Sequence, residues 1–413
     1  MTHSLKGKAD FLARSSVQHV LALLNSDGEE ARIAGGAVRN ALLGQPVADI
    51  DIATTALPAE VIHRATEAGY KSIPTGIEHG TVTLIVDGEA FEVTTLRADI
   101  ETNGRHAVVR FGRDWDADAA RRDFTINGLY ADADGNVFDS VGGLKDMETK
   151  TLRFIGDADA RVREDYLRIL RFFRFFAWYG SGRPDADGIR AAARLKDGLK
   201  QLSAERVWAE LKKLLTAPDP SRALLWMRQS GVLTEVLPES EKWGIDGIHG
   251  LMDAERDLGW KQEPMLRLMS IVPPHDVRVE ELGKRLKLAN SERDRLELWA
   301  KAALPAPDMD NRIFARNLYR SDVSGNVDRL RLALSSARAL AVSDEKEMMK
   351  AAGYSRLLDF AVKWRVPKFP VTGADLLAQG MAPGLKLGAK LRALEDEWVA
   401  SDFTLSADDL LNS

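Results

Sequence analysis

The sequence predicts an α/β N-terminal part followed by an all-helical remainder. Three observations predict it. Up to about residue 150, short β-rich runs alternate with glycine turns. Within that stretch, residues 81–96, TVTLIVDGEAFEVTTL, place two β-branched runs on either side of Asp87-Gly88, a pair suited to a tight hairpin turn with positive φ. From about residue 155, apolar residues recur every three or four positions almost to the end.

Taken in order, the N-terminus reads as an amphipathic helix with Phe11, Leu12, Val17, Val20, Leu21 and Leu24 as its buried stripe. Helical patterns follow at 36–43 and 58–69, with a strand expected over Val47 to Thr54 and a weaker one over Val108 to Phe111. Helices packed on a small sheet account for this alternation. The later helical patterns cover 161–178, 203–215, 220–230, 281–302, 327–352 and 384–399, and prolines punctuate them. The turn-forming stretch 238–250, PESEKWGIDGIHG, marks an internal boundary.

Composition narrows the function. At roughly 150 residues per domain, 413 residues suggest two or three domains. A net charge of -5 excludes a wholly basic nucleic-acid coat protein but leaves room for a local basic face. The absence of cysteine excludes disulfides, zinc–thiolate centres and cysteine nucleophiles, and makes the cytoplasm the expected compartment. No apolar run is long enough to span a bilayer, and the first residues show no export signal.

Three constellations carry chemistry. Gly35-Gly36-Ala37-Val38-Arg39 leads from an apolar run into a helical pattern, where glycines let backbone N–H groups approach phosphate and Arg39 can fork onto it. Ten residues on, Asp49-Ile50-Asp51 would set two carboxylates on one face of a strand, against the low strand propensity of aspartate. Two hard carboxylates suit Mg²⁺ bound between protein and triphosphate; a solvated edge strand would read the same way. Glu92 is a candidate third carboxylate, or an outward polar position of an alternating strand.

The second constellation is Arg121-Arg122-Asp123-Phe124-Thr125-Ile126-Asn127. The arginine pair can neutralise triphosphate, and Asp123 and Asn127 would share a helical face toward sugar hydroxyls. The third, residues 163–176, splits into an apolar stripe of Ile169, Phe172, Phe173 and Phe176 and a basic stripe of Arg168, Arg171 and Arg174, with Asp165 at the border. A solvated basic face with a Glu164–Arg168 pair is the bland alternative.

GGAVR, the Asp49–Asp51 pair, RRDFTIN, DSVGGLKD and EDYLRILRFFRF, in this order, resemble the class II tRNA nucleotidyltransferases (CCA-adding enzymes) and bacterial poly(A) polymerases of the polymerase-β-type nucleotidyltransferase superfamily. The resemblance covers about residues 30–215. It implies a catalytic head (1–152), a nucleotide-reading helical neck (153–237) and an RNA-binding helical body and tail (238–413). It also implies that Asp49 and Asp51 hold the catalytic Mg²⁺ and that Gly36 and Arg39 contact the triphosphate. Arg122, Asp123 and Asn127 would hold phosphate and ribose, while Asp165, Arg168, Arg171 and Arg174 form the nucleotide-reading edge of the neck helix. The segment TLRADIETNGRHAVVRFGRDW looks like the flexible loop of full CCA-adding enzymes. Two positions depart from the family's usual pattern: Asn40, where Asp is usual, and Gly128, where Ala is usual.

The implied reaction adds C, C and A to the 3′ end of tRNA from CTP and ATP, releasing pyrophosphate. Poly(A) polymerase and partial CC- or A-addition are the alternatives among enzymes, and a catalytically inactive RNA-binding protein is the alternative outside them. Base selection follows from hydrogen-bond patterns. Cytosine and adenine both present an amino donor beside a ring-nitrogen acceptor, complementary to the Asp165 carboxylate and the Arg168 guanidinium. Uracil and guanine present the reverse order, and each mispaired buried group costs roughly 1–3 kcal/mol. For RNA contact, the helical half offers basic clusters at Lys284, Arg285, Lys287, Arg293 and Arg295, at Arg312, Arg316 and Arg320, and at Lys386, Lys390 and Arg392.

Overall fold

The computed structural model describes residues 3–103, 106–342 and 344–412, and the chain divides into two compact units, Met1–Val236 and Leu237–Ser413. The first unit opens with helix α1 (Ser15–Leu24), whose Val17, Val20, Leu21 and Leu24 are buried as the apolar stripe requires. Strand β1 (Ala31–Ala34), helix α2 (Gly36–Leu42), strand β2 (Asp51–Thr54), helix α3 (Pro58–Glu67) and strand β3 (Lys71–Gly76) follow. The hairpin is β4 (Thr81–Val86) and β5 (Glu89–Thr95), and both turn residues take positive φ, 51° at Asp87 and 84° at Gly88. After β6 (Arg97–Asn103), β7 (His106–Phe111) and helix α4 (Trp115–Ala120) come the short strands β8 (Leu129–Ala131) and β9 (Val137–Asp139). Seven strands form one sheet in the order β3-β4-β5-β2-β1-β8-β9. Its one parallel pair is β2 with β5, which puts Asp51 in register with Glu92. Val82, Leu84, Phe91, Val93, Ile33 and Ile52 form its buried side, against α1 and α3.

The unit continues through helices α5 (Gly143–Glu148), α6 (Ala158–Glu164), α7 (Leu167–Tyr179), α8 (Ala186–Leu195), α9 (Ala204–Leu215), α10 (Ser221–Gln229) and α11 (Val232–Val236). Phe172, Phe173 and Phe176 of α7 are buried. Phe172 stacks on Phe154 with centroids 5.4 Å apart, and Phe175 meets Phe124 at 5.2 Å, so an aromatic cluster holds α7 to the sheet half of the unit.

The second unit is helical: α12 (Gly247–Asp257), α13 (Pro264–Ile271), α14 (Asp276–Arg285), α15 (Asn290–Lys301), α16 (Asn311–Arg320), α17 (Val323–Leu340), α18 (Glu345–Lys363), α19 (Gly373–Ala378), α20 (Leu385–Ala400) and α21 (Ala407–Leu411). Its interior contains Trp299 and the fully buried Arg267, whose guanidinium lies 2.6 Å from Glu255. Further along the chain, Phe314, Leu318, Leu330 and Leu357 form one apolar cluster, and Leu376, Leu394 and Trp398 another.

Several boundaries differ from the sequence reading. The strand expected over 47–54 begins at Asp51, because β1 turns away at Gly35 and leaves the preceding residues without a ladder partner on that side. The pattern at 161–178 is two helices, broken at Asp165 in extended backbone (φ -155°, ψ 109°). The pattern at 281–302 is likewise divided where Lys287 takes φ 49°. The expected flexible loop is paired as the antiparallel strands β6 and β7, with Gly104 and Arg105 outside the described residues. Gly128 ends a short 3₁₀ turn, so no helix is weakened there. An added Cβ would lie 2.6 Å from Val141 Cγ2, and Val141 occupies the space a larger residue would need.

Candidate functional site

Two adjoining cavities in the first unit gather almost every residue singled out above. One, of about 220 Å³, is walled by Asp51, Glu92, Thr81, Thr94, Arg97, Asp118, Arg121 and Arg122, among others. The second, of about 520 Å³, is lined by Gly35, Gly36, Arg39, Arg121, Arg122, Asp123, Asn127, Asp165, Leu167, Arg168, Arg171, Arg174, Phe175 and Arg206. Arg121 and Arg122 line both cavities.

The carboxylates come from adjacent strands. Asp51 at the start of β2 is level with Glu92 on β5. Asp49 lies outside the strand, exposed, in the extended segment before it, and is not among the lining residues of the smaller cavity. The expected shared strand face for Asp49 and Asp51 is therefore absent, although the two charges still interact. Partial burial, then Glu92, then Asp49 push the Asp51 carboxyl above its usual range, with Arg122 opposing. No hydrogen bond or ion pair among the described residues engages the side chains of Asp49, Asp51 or Glu92. Hard oxygen donors that repel one another and lack protein partners fit a divalent cation. Among the described residues no group of three or more His, Asp or Glu is close enough to hold a metal by itself. Such a cation would need oxygens from a ligand as well.

In the larger cavity seven arginines face two aspartates. That excess of positive charge suits a polyanion such as a triphosphate. Gly35 makes the close approach possible. Its φ is 58°, and a Cβ there would lie 3.0 Å from Arg122 Nη1 and 3.3 Å from the Asn127 carbonyl oxygen. Arg122 is oriented by Tyr130, whose hydroxyl accepts from Nε at 3.1 Å, and by Asp118 at 3.3 Å from Nη2. Arg121 also binds Asp118, at 2.8 Å. Burial opposes the charge on Asp118, but Arg121 and Arg122 hold its carboxyl below the usual range.

The predicted groups are already interlocked. Asp123 accepts from Asn127 Nδ2 at 2.9 Å and from Arg171 Nε at 2.8 Å, so Arg171 of α7 is tied to the segment that follows α4. Arg174 Nε lies 2.6 Å from Glu210 Oε2 on α9. Asp165 lies with Tyr166 between α6 and α7, outside the helix on which it was expected, and its Oδ2 accepts from Arg206 at 2.6 Å. Arg168 donates to Glu164 and, at 3.0 Å, to the Arg161 carbonyl, so the expected Glu164–Arg168 pair exists while Arg168 still lines the cavity.

Arg206, Asp118 and Glu210 belong to the site without standing in any of the sequence motifs. Arg206 is 41 residues from Asp165, and on its own helix it looks like any charged residue beside a buried stripe.

The family described as Poly A polymerase head domain matches residues 31–153, and that described as Probable RNA and SrmB- binding site of polymerase A matches residues 186–243. The mitochondrial CCA tRNA nucleotidyltransferase 1 of Mus musculus is 35% identical over 410 residues, 97% of this chain and 90% of that protein. The Homo sapiens counterpart shows the same identity and coverage. The CCA-adding enzyme of Geobacillus thermodenitrificans is 40% identical over 228 residues, 54% of this chain and 55% of its own length. Among solved structures, the Bacillus stearothermophilus CCA-adding enzyme in complex with CTP superposes with a TM-score of 0.68 at 25% identity, covering 94% of this chain and 93% of that one. An apo CCA-adding enzyme at 18% identity shares the fold with a TM-score of 0.71, over 100% of this chain and 98% of that one.

Proposed function

The chain belongs to the CCA-adding tRNA nucleotidyltransferase family, and from that premise we propose which of its residues add C, C and A to the tRNA 3′ end from CTP and ATP with release of pyrophosphate. One observation carries the reading. The arginine-rich cavity that would take a nucleoside triphosphate shares Arg121 and Arg122 with the cavity lined by the carboxylates Asp51 and Glu92.

Arg39, Arg121 and Arg122 bind and orient the triphosphate, with Gly35 and Gly36 admitting it close to the backbone. Asn127 and Asp123 face the sugar. Asp165 and Arg168 meet the Watson–Crick edge, and Arg206 holds the Asp165 carboxylate in place. Arg171 and Arg174, paired with Asp123 and Glu210, fix the edge of α7 on which this reading depends. Asp49 and Asp51, with Glu92 beside them, would hold Mg²⁺, which when bound supplies charge neutralisation for the attacking 3′-hydroxyl and the leaving pyrophosphate.

The three-part division into head (1–152), neck (153–237) and body with tail (238–413) remains our reading of the chain. In the helical half, two of the three basic clusters are largely neutralised: Arg295 pairs with Glu263 and Asp328, Arg285 with Glu239, Lys284 with Glu280, Arg316 with Asp402 and Arg320 with Asp396. Among the described residues no acidic partner engages Lys386, Lys390 or Arg392 of α20. We assign tRNA phosphate contact to α20. We also place the protein in the cytoplasm, a reading that rests on its cysteine-free sequence, whereas the vertebrate relatives carry the word mitochondrial in their names. No helix of the described residues is long and apolar enough to cross a membrane.

The purified protein, given tRNA ending at the discriminator base with CTP and ATP, should extend it by C, C and A and stop, as read by sequencing the products. Long A tails, or arrest after CC with ATP present, would contradict full CCA addition.

A further inference from the structure

Arg39 is only 7% exposed, and most of its N–H groups are engaged. Nε and Nη2 donate to Asn40 Oδ1 at 3.1 and 2.9 Å, Nη2 also donates to the Tyr179 hydroxyl at 2.8 Å, and Nη1 donates to Asn127 Oδ1. The Tyr179 hydroxyl in turn donates to Asn40 Oδ1 at 3.2 Å. The guanidinium lies over the Tyr179 ring, 4.2 Å from its centroid. Of five N–H groups, that leaves one on Nη1 for a phosphate oxygen. Arg39 can therefore serve a triphosphate only in an orientation that its neighbours set.

Asn40 has a second task. Its amide Nδ2 donates to the Pro46 carbonyl at 3.0 Å, beside the backbone bond from the Gln45 N–H to the Asn40 main-chain carbonyl at 2.8 Å. It thus ties down the segment that runs from Pro46 to Asp49 and into β2. An aspartate at position 40 could accept from Arg39 and Tyr179 but could not donate to Pro46. Tyr179 is the last residue of α7, so one hydroxyl links the end of that helix to Arg39 and Asn40.

We propose that Asn40 and Tyr179 are positioning residues for nucleotide addition: Tyr179 orients Arg39 toward the triphosphate, and Asn40 joins that arginine to the segment carrying Asp49. This assignment rests on the reading of the site given above.

Two variants separate the roles. Tyr179→Phe keeps the ring over the guanidinium and removes only the hydroxyl. It should raise KM for CTP and ATP alike by about tenfold, with kcat little changed and the preference over UTP and GTP intact. Asn40→Asp keeps the acceptor and loses the tether to Pro46. It should lower kcat by about tenfold while KM rises less than about threefold. Calorimetric titration with CTP in EDTA, where no metal contributes, should show weaker binding for Tyr179→Phe and near-normal binding for Asn40→Asp. A wild-type KM and CTP affinity in Tyr179→Phe overturns the first role. A wild-type kcat in Asn40→Asp overturns the second. Proportional loss of kcat, affinity and melting temperature in both variants makes the network merely structural and overturns both. If Asn40→Asp does not fold, Tyr179→Phe decides on the orienting role and Asn40→Gln, with its amide displaced by one methylene, replaces it for the tether. Failure of the wild-type chain to add C, C and A would sink the functional reading itself, a result distinct from any of these.

Discussion

Removing the Arg171 side chain should weaken the hold of α7 on the sheet half of the first unit, leaving the aromatic contacts in place. Arg171 Nε lies 2.8 Å from Asp123 Oδ2, and Nη2 donates to the same oxygen. Asp123 is 8% exposed, and in Arg171→Ala it would keep only the neutral donors Asn127 Nδ2 and the Phe124 N–H. Breaking a buried pair on one side costs about 3–5 kcal/mol. The Arg171 side chain retains 32% of its exposure, so solvent screening brings the expected loss to about 2 kcal/mol. Urea unfolding of the full chain, with amide exchange on α7 so that the second unit does not mask the change, measures it. The pH dependence gives a second check. Burial alone would raise the Asp123 carboxyl, but the Arg171 charge and the hydrogen bonds from Asn127, Arg171 and the Phe124 N–H outweigh it and hold it below the usual range. A depressed folded pKa stabilises above the unfolded value, and that stabilisation is lost as pH falls through the folded one. The gap between wild type and Arg171→Ala should therefore be full near neutral pH and close in acid. An unchanged exchange rate on α7, or a gap that widens on acidification, refutes the argument.

Other expectations follow from the same geometry. Arg206→Ala removes the 2.6 Å partner of Asp165 and should relax discrimination against UTP and GTP by about tenfold in relative kcat/KM. Asp51→Asn should abolish turnover yet raise the melting temperature near neutral pH. Ionising Asp51 in the fold is penalised by burial, Glu92 and Asp49, so wild-type stability falls as pH rises through its raised pKa, and the variant's advantage should vanish in acid. Gly35→Ala forces a positive φ on a residue whose Cβ meets Arg122. It should cost about 1–3 kcal/mol in thermal unfolding and weaken CTP binding in titration.

The architecture was legible because the relevant signals are local. The Asp87-Gly88 turn, the apolar stripe of the first helix and the Phe172–Phe176 stripe each depend on a few neighbouring residues. The residues gathered in the larger cavity were legible as motifs, and every nucleotide-binding candidate from Gly35 to Arg174 lines it. What remained hidden is long-range. The start of β2 at Asp51 depends on where its neighbour β1 turns away. The pairing of Asp165 with Arg206 spans 41 residues, and that of Arg39 with Tyr179 spans 140. Periodicity also ran through the break at Asp165, because the helices on either side keep the same apolar spacing. In the sequence Gly128 is only a departure from the usual Ala, and the position of Val141 shows what the missing methyl group makes room for.

On the reading proposed above, a protein edge with no nucleic-acid template selects cytosine and adenine through Asp165 and Arg168. The most direct measurement is kcat/KM for CTP, ATP, UTP and GTP on tRNA ending at the discriminator base, in wild type, Asp165→Ala and Arg168→Ala. The account predicts that each variant loses roughly 1–3 kcal/mol of discrimination, or about five- to 150-fold in the ratio of CTP and ATP to UTP and GTP. A selectivity ratio unchanged from wild type in both variants would mean that the neck is structural and the base is read elsewhere.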